Sequence, residues 1–364
     1  MSDVVVFEQL ATAGDAFIGI ARLNAPKSLN ALSQEMIDLL LPQLRAWAAD
    51  PKLAAVWLEG EGERALCAGG DIVKMYESMQ PVGERNHFIE HYFATEYELD
   101  YLLHSFPKPV LCWAEGVVMG GGMGLMQGAS MRLVTATSRL AMPEITIGLY
   151  PDVGGSWFLN RTPGHTGLFA GLTGVHLNAA DALFMGLADH FIGVDREQVK
   201  AALSALPLSG DDDADAQHLH DALVALRGDA PASPVREQFD AINAACEAPT
   251  LQRVLDNILA QAERDKWWSR AAGTLSKGCP MTTHLVWEQL RRTRHLSLAE
   301  AFRFEWVMSV QCAMHGDFRE GVRALLIEKD GAPKFRHHTA AEVTAEDVAA
   351  MMVMPAPQHP LADL

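Results

Sequence analysis

The chain has 364 residues, 49% of them hydrophobic, and a formal net charge of −17. This is enough for a large core in one or two domains, and no apolar run reaches the length of a membrane span. The acidic balance and the lack of a basic patch exclude a typical nucleic-acid binder and disfavour anionic membrane surfaces. We therefore expect neither nucleic acid nor a membrane as a partner.

In the first half of the chain, short β-type segments alternate with amphipathic segments. Strands are predicted at residues 4–7, 16–23, 54–60, 110–114, 133–136 and 139–141. Helices are predicted after Ser33, over about 83–105 and from the glycine triplet at 120–122. A repeated order of strand, strand and helix favours stacked layers with a parallel sheet, which is an α/β fold.

After about residue 195 the strand pattern stops and helical segments follow. Residues 199–206 and 216–226 predict helices, and the acidic run 210–213 between them is interpreted as a solvated loop. The predicted domains are a core at 1–195 that holds the active site, a helical region at 196–345 and a poorly ordered tail at 346–364.

The most informative stretch is residues 141–155, in which Glu144 and Asp152 stand on either side of an apolar turn. A glycine triplet, 120–122, precedes it. Glycines let a backbone approach a ligand and direct N–H groups at it, and Gly121 stands where a strand gives way to a helix. Carboxyls in apolar surroundings have raised pKa values and move protons near neutral pH. Together these features predict an acyl site with an oxyanion hole.

Five segments, in this order, resemble the enoyl-CoA hydratase/isomerase (crotonase) superfamily. They are residues 23–32 (LNAPKSLNAL), 66–72 (LCAGGDI), 119–125 (MGGGMGL), 141–155 (AMPEITIGLYPDVGG) and 317–330 (DFREGVRALLIEKD). The resemblance covers most of the chain. It implies a crotonase-like spiral of ββα units with a helical C-terminal region, and an acyl-CoA as the small-molecule substrate.

Two positions separate the reaction classes of this superfamily. Hydratases carry a glutamate where this chain has Gly124, and they usually carry glycine where this chain has Asp152. The resemblance therefore implies hydrolysis of short 3-hydroxyacyl-CoA thioesters, with 3-hydroxyisobutyryl-CoA as the expected substrate and valine catabolism as the expected role. An enoyl-CoA hydratase and a dienoyl-CoA isomerase stay open as alternatives, as does a catalytically silent CoA-binding protein without a working acid/base pair.

The resemblance gives catalytic roles to four residues. The N–H groups of Gly70 and Gly121 are the expected oxyanion donors, and Glu144 is the expected nucleophile or general base. Asp152 is expected to hold the substrate's 3-hydroxyl. The structural alternatives are tight packing turns for the two glycines, a loop carboxylate for Glu144 and a helix N-cap for Asp152.

Two further residues are expected to bind substrate. Glu96 precedes a tyrosine in the region 83–105 and is expected to contact the acyl group, and Lys27 is expected to contact the CoA phosphates, with Arg22 as a second candidate cation. An ordinary surface charge is the alternative in each case. No cofactor is expected, because coenzyme A is part of the substrate, and self-association into a homo-oligomer stays open.

One motif competes with this interpretation. His87 to His91 fits H-x-x-E-H, a zinc motif, but with 14 histidines in the chain such a pair arises by chance, so no metal is expected. The five cysteines are far apart and form no CxxC pair, which is typical of reduced, packed thiols, and Cys67 is interpreted as apolar filler. Residues 1–8 lack the basic segment of a targeting peptide, so a cytoplasmic location is expected.

Overall fold

A computed structural model describes residues 3–364 of the chain. The strands in this part are β1 (Val5–Ala11), β2 (Phe17–Leu23), β3 (Leu53–Gly60), β4 (Ala65–Cys67), β5 (Val110–Ala114), β6 (Val117–Met119), β7 (Met131–Val134), β8 (Arg139–Ala141) and β9 (His190–Phe191). Short 3₁₀ turns lie at Pro26–Ser28, Glu144–Thr146, Leu159–Arg161 and Ala340–Glu342.

Helices occupy most of the remaining chain. They are α1 (Gln34–Ala48), α2 (Ile72–Ser78), α3 (His87–His104), α4 (Gly121–Gly128), α5 (Gly155–Phe158), α6 (Thr166–Thr173), α7 (Ala179–Phe184), α8 (Arg196–Ser204), α9 (Asp212–Ala225), α10 (Pro234–Glu237), α11 (Phe239–Cys246), α12 (Leu251–Ala260), α13 (Lys266–Lys277), α14 (Pro280–Thr293), α15 (Leu298–His315), α16 (Asp317–Val322) and α17 (Ala345–Ala350). A π-helical turn, Arg323–Ile327, follows α16.

The described residues form two compact units, each assembled from separate stretches of chain. The first unit contains residues 3–70, 99–140 and 177–233. The second contains residues 71–98, 141–176 and 234–364. The division predicted after residue 195 follows chain order instead, and it stays a prediction.

The first unit is built on a sheet with the strand order β1-β2-β3-β5-β7-β9. Strands β1 and β2 are antiparallel, whereas the neighbours from β2 onward are parallel. All eight residues of β3 are buried, as expected for a strand of a parallel sheet covered on both faces. A second sheet has the order β4-β6-β8. The predicted α/β class with a parallel sheet is confirmed.

The acidic run 210–213 corrects one prediction. Residues 211–213 are exposed, as expected for a solvated segment, but the run is not a loop throughout, because α9 begins at Asp212. The Asp211 side chain accepts a hydrogen bond from the Ala214 N–H at 3.0 Å and caps the helix. Aspartates at a helix N-terminus accept free N–H groups and complement the helix dipole, so the run starts a helix.

The second unit is mainly helical, and its C-terminal residues pack against α15. The Arg303 side chain donates to the carbonyl oxygen of Leu361 at 3.0 Å, and the His359 ring lies 4.9 Å from the Trp306 ring. Leu361 is 4% exposed. The prediction of a poorly ordered tail is therefore wrong, since the buried Leu361 side chain and the His359 ring anchor the tail on the helix.

Candidate active site

In the second unit, close contacts with another backbone segment fix the conformation of the turn that carries Glu144 and Asp152. Gly148, between the two carboxyls, has φ +73°, and a Cβ there would lie 2.5 Å from the backbone of Asp317. A Cβ at Gly321 would collide with the backbone of Ile147. Both positions therefore require glycine. The motif at 317–330 packs on the motif at 141–155, which explains in physical terms why the two occur together.

Glu144 begins the 3₁₀ turn after Pro143 and is 4% exposed. Among residues 3–364 its Oε2 has no hydrogen-bond partner. Burial raises the pKa of the Glu144 carboxyl well above its usual range, and the negative charges of Asp152 and Glu96 raise it further. A desolvated carboxyl with one unpaired oxygen is strongly basic when ionised, which suits a nucleophile or a general base.

Asp152 is also buried, and its carboxyl contacts a tyrosine. The Tyr97 hydroxyl donates to Asp152 Oδ2 at 2.6 Å when the carboxyl is ionised. Burial raises the Asp152 pKa, while the Tyr97 hydrogen bond and Asp152's own backbone N–H oppose that rise. The N-cap alternative fails, because α5 begins at Gly155 with Gly154 as its N-cap. The Asp152 side chain thus contacts Tyr97 and does not cap this helix.

Glu96, on α3, is 2% exposed and is not a surface charge. The Tyr92 hydroxyl donates to Glu96 Oε1 over a long 3.4 Å. Burial raises the Glu96 pKa well above its usual range, and the charge of Asp152 adds to the rise. The second unit therefore brings the carboxyls of Glu96, Glu144 and Asp152 within range of one another's charge. Mutual repulsion among such groups favours proton sharing.

The backbone after Asp152 is strained. Val153 has φ 52°, which is unfavourable for a β-branched residue, and Gly154 has φ 87°. Glu305, from α15, holds this turn, since its carboxylate accepts hydrogen bonds from the N–H groups of Gly154 and Ser156, both at 2.7 Å. Burial raises the pKa of Glu305 to about 8, against the effect of these bonds.

Sequence reasoning missed the contribution of α15. Glu305 and Ser309 stand one helical turn apart on its buried face, and both are 0% exposed. Ser309 Oγ lies 2.6 Å from the Tyr97 hydroxyl and 2.9 Å from the Tyr150 hydroxyl. The available signal was a carboxylate and a hydroxyl inside an apolar helix stripe, where buried polar groups require partners.

The first unit brings the two predicted oxyanion glycine segments together. Gly121 is the first residue of α4, so its N–H has no acceptor within the helix. Within residues 3–364 no acceptor is found for the N–H groups of Gly70 or Gly121. A Cβ at Gly69 would lie 4.0 Å from the Gly121 nitrogen. A Cβ at Gly122 would collide with the carbonyl oxygen of Cys67, so the packing of α4 on the 67–70 turn requires glycine.

The two residues predicted to contact the CoA phosphates, Lys27 and Arg22, have different surroundings. Lys27 lies in the exposed 3₁₀ turn Pro26–Ser28, and within the described part of the chain it has no ion-pair partner. Arg22 is engaged by the sheet instead, because its guanidinium pairs with Glu59 at 2.7 Å and Glu8 at 2.9 Å. Arg22 is therefore held by ion pairs in the sheet, and its contact with phosphate stays a prediction.

The competing motifs have structural explanations. His87 is exposed on α3 and lies 3.4 Å from Glu90, which also pairs with Arg85 at 2.7 Å. Across residues 3–364 no group of three metal-ligating side chains is suitably placed for an ion. All five cysteines are free and buried, as predicted for packed thiols. A search of the described helices finds no candidate for a membrane span.

Comparison with known proteins gives consistent matches. The family description Enoyl-CoA hydratase/isomerase matches residues 18–352. Curated proteins named 3-hydroxyisobutyryl-CoA hydrolase, mitochondrial, are similar to this chain: that of Danio rerio is 35% identical over 94% of this chain and 88% of its own length, and that of Homo sapiens is 34% identical over 91% and 84%.

Solved structures give the same fold. A carnitinyl-CoA dehydratase from Mycobacterium thermoresistibile is 34% identical, with 100% of both chains covered and a TM-score of 0.87. An enoyl-CoA hydratase from Rhodobacter sphaeroides 2.4.1 is 31% identical, with 98% of both chains covered and a TM-score of 0.82. The crotonase-like fold predicted from the five motifs is confirmed.

Proposed function

Because the chain belongs to the enoyl-CoA hydratase/isomerase family, we propose that it hydrolyses short 3-hydroxyacyl-CoA thioesters, with 3-hydroxyisobutyryl-CoA as the substrate. The observation that carries this proposal is the group of three buried carboxyls, Glu96, Glu144 and Asp152, in a chain with glycine at position 124. The names of the curated relatives support the same reaction.

In the proposed reaction, the N–H groups of Gly70 and Gly121 bind the thioester oxygen and stabilise the charge that develops there. Glu144 attacks the carbonyl carbon, and the C–S bond breaks to release the CoA thiolate, which takes up a proton. Water then cleaves the mixed anhydride to free the acid and restore Glu144. In the alternative version, Glu144 removes a proton from water that attacks directly. Asp152 and Glu96 hold the 3-hydroxyl and orient the acyl group.

Several finer features belong to the same proposal. Lys27, exposed and unpaired within residues 3–364, is assigned to the CoA phosphates. The steps use amides and carboxyls of the chain, and they require no metal or redox cofactor. We assign the reaction to valine catabolism, on the family resemblance, and the protein to the cytoplasm, on its five free cysteines. Light scattering of the purified protein tests self-association.

A second candidate is hydration or dehydration of a CoA thioester, because two similar solved structures are named for these reactions. Such chemistry uses two acid/base groups on one water. Gly124 supplies no carboxyl at the position where the resemblance expects the second glutamate. Hydrolysis is therefore the proposal that the residues of this chain support better.

The test is an acyl-CoA panel with product identification. We expect free 3-hydroxyisobutyrate and CoA in equal amounts, and loss of both products in Glu144→Gln. The dehydratase proposal instead predicts an intact thioester with an altered acyl chain. A panel in which no thioester releases CoA would contradict the hydrolase assignment and favour a silent CoA-binding protein.

A further inference from the structure

Three buried hydroxyls form a hydrogen-bonded chain that begins at Asp152. Tyr97 Oη lies 2.6 Å from Asp152 Oδ2 and 2.6 Å from Ser309 Oγ. Ser309 Oγ lies 2.9 Å from Tyr150 Oη, which lies 2.7 Å from the backbone carbonyl oxygen of Glu305. All three hydroxyl-bearing residues are 0% exposed, and within residues 3–364 their hydroxyls have no other partner. The chain is therefore complete between a carboxyl and a carbonyl.

The number of protons available to this series of hydrogen bonds depends on whether Asp152 is protonated. Each of the four oxygen–oxygen contacts requires one proton, and the three hydroxyls supply one each. The Glu305 carbonyl only accepts. If Asp152 is ionised, it also only accepts, so both ends of the chain are acceptors and one contact has no proton. Two oxygens would then face each other at hydrogen-bond distance with lone pairs alone.

A protonated Asp152 fills every contact. Asp152 donates to Tyr97, Tyr97 to Ser309, Ser309 to Tyr150, and Tyr150 to the Glu305 carbonyl. Hydroxyls aligned in one direction polarise one another, which strengthens the whole chain in a low-dielectric interior. We propose that this series of hydrogen bonds holds Asp152 as a neutral, protonated acid at neutral pH, with Tyr97, Ser309 and Tyr150 as positioning residues.

The electrostatic surroundings of Asp152 act in the same direction. The titratable groups that interact with it from the packed elements are Glu96 and Tyr97 on α3, Glu144 and Tyr150 on the turn, and Glu305 and Cys312 on α15. These groups are acids, and none supplies a positive charge. An ionised Asp152 would therefore face further carboxyls without a counter-ion. Burial accordingly raises the Asp152 pKa.

The proposed state divides the work of two carboxyls. A neutral Asp152 does not repel a charge on Glu144, which removes one of the effects that oppose ionisation of Glu144 before attack. The Oδ1 of neutral Asp152 remains a hydrogen-bond acceptor for a substrate hydroxyl. This inference deepens the proposed function, but its test reads protonation without turnover. Failure of the inference and failure of the hydrolase assignment are therefore distinguishable.

The test is carbon NMR of full-length protein labelled with ¹³C at the aspartate side-chain carboxyls, in which glutamates are invisible. The Asp152 resonance is the one lost in Asp152→Asn. We expect it at the position of a protonated acid at pH 7, with ionisation only at higher pH. A carboxylate resonance at pH 7 in the unmodified protein would overturn the proposal.

Substitutions of the hydrogen-bonded hydroxyls should shift the midpoint of the Asp152 titration in predictable directions. In Ser309→Ala, Tyr97 donates to Asp152 and Tyr150 to Glu305, so two contacts have two protons and ionised Asp152 is tolerated. The Asp152 midpoint should fall by about one pH unit. Tyr150→Phe shortens the chain likewise and should also lower the midpoint, which keeps the test available if one variant does not fold.

Tyr97→Phe removes the donor to the ionised carboxyl, so it should raise the midpoint. General loosening of the core would move all three variants in one direction. The matched control is Thr283→Ala, which removes a buried hydroxyl that donates to Pro280 within its own helix at 2.8 Å. No shift is expected there. A midpoint that rises or stays unchanged in Ser309→Ala and Tyr150→Phe would contradict the chain as the cause.

Discussion

Tyr97 and Asp152 are 55 residues apart in the chain, yet the Tyr97 hydroxyl lies 2.6 Å from Asp152 Oδ2. Tyr97 lies on α3, and Asp152 lies in the turn that precedes α5. Both side chains are buried, so this contact is shielded from water. A carboxyl held in this way is a rigid hydrogen-bond partner.

The first prediction concerns the 3-hydroxyl of the substrate. Isobutyryl-CoA lacks this group and would leave a buried oxygen of Asp152 unpaired. The penalty in kcat/KM relative to 3-hydroxyisobutyryl-CoA should reach about 10⁴. Steady-state thiol release with the two substrates measures it. Asp152→Ala should lower the ratio, whereas equal turnover by the unmodified enzyme would remove Asp152 from hydroxyl recognition.

The second prediction concerns the oxyanion donor at Gly121. Gly121→Pro deletes the N–H group and should lower kcat by about 10²–10³. Gly121→Ala retains the N–H group and is the matched control, with circular dichroism and Tm as folding checks for both variants. A folded proline variant with nearly normal kcat, or equal losses in both variants, would argue against this amide as an oxyanion donor.

The third prediction concerns Glu144. Glu144→Gln retains the shape but removes the basic carboxylate, so kcat should fall by about 10²–10⁴ for a general base. Loss of a nucleophile should cost more.

Single-turnover hydrolysis in ¹⁸O-labelled water, with enzyme in excess, separates the two roles of Glu144. We expect the first acid formed to carry an unlabelled oxygen from Glu144, and the label to enter the enzyme's carboxylate. The reason is that a bound carboxylate aligned with the thioester carbonyl attacks in an effectively unimolecular step. This pattern requires water to attack the Glu144 carbonyl carbon of the anhydride, whereas full label in the first product would fit a general base or water attack on the acyl carbon.

The fourth prediction concerns stability. Burial raises the folded-state pKa of Glu144, so the folded protein holds this proton more tightly than the unfolded chain. The resulting stability is present below the unfolded pKa and is lost as pH rises through the folded pKa. Glu144→Gln should therefore unfold at a higher Tm than the parent at pH 8.

The expected gain is on the order of 1 kcal/mol at pH 8 and should vanish near about pH 4, where the parent carboxyl is protonated. Glu63→Gln, at an exposed position, is the control and should change Tm at neither pH. A lower Tm for Glu144→Gln than for the parent at pH 8 would contradict the cost of burying an ionised Glu144.

The features of this site that depend on neighbouring residues in the sequence can be predicted from the sequence. Helix α1 begins after Ser33 as predicted, and the Ser33 side chain caps it, because capping needs only the next few residues. The glycine turns and the two carboxyls of 141–155 are likewise visible in short motifs. The 317–330 motif is visible too, but its role is not, since the need for glycine at position 321 comes from close contact with the backbone of Ile147.

The α15 contribution was beyond sequence reasoning for a physical reason. Ser309 meets Tyr97 across 212 residues and Tyr150 across 159, and such pairings depend on tertiary packing, not on local spacing. Glu305 resembles an ordinary helix glutamate until its two N–H partners are seen. The prediction of a poorly ordered C-terminal tail was wrong for a similar reason, because the docking site of the tail on α15 is distant in sequence.

The most direct test compares two activities of one purified preparation. CoA release from 3-hydroxyisobutyryl-CoA and hydration of crotonyl-CoA are measured as kcat/KM under the same conditions. With Gly124 in place of a second acid/base group, hydrolysis should exceed hydration by at least about tenfold, a difference of roughly 1.4 kcal/mol in activation free energy. Hydration that equals or exceeds hydrolysis would contradict the hydrolase assignment.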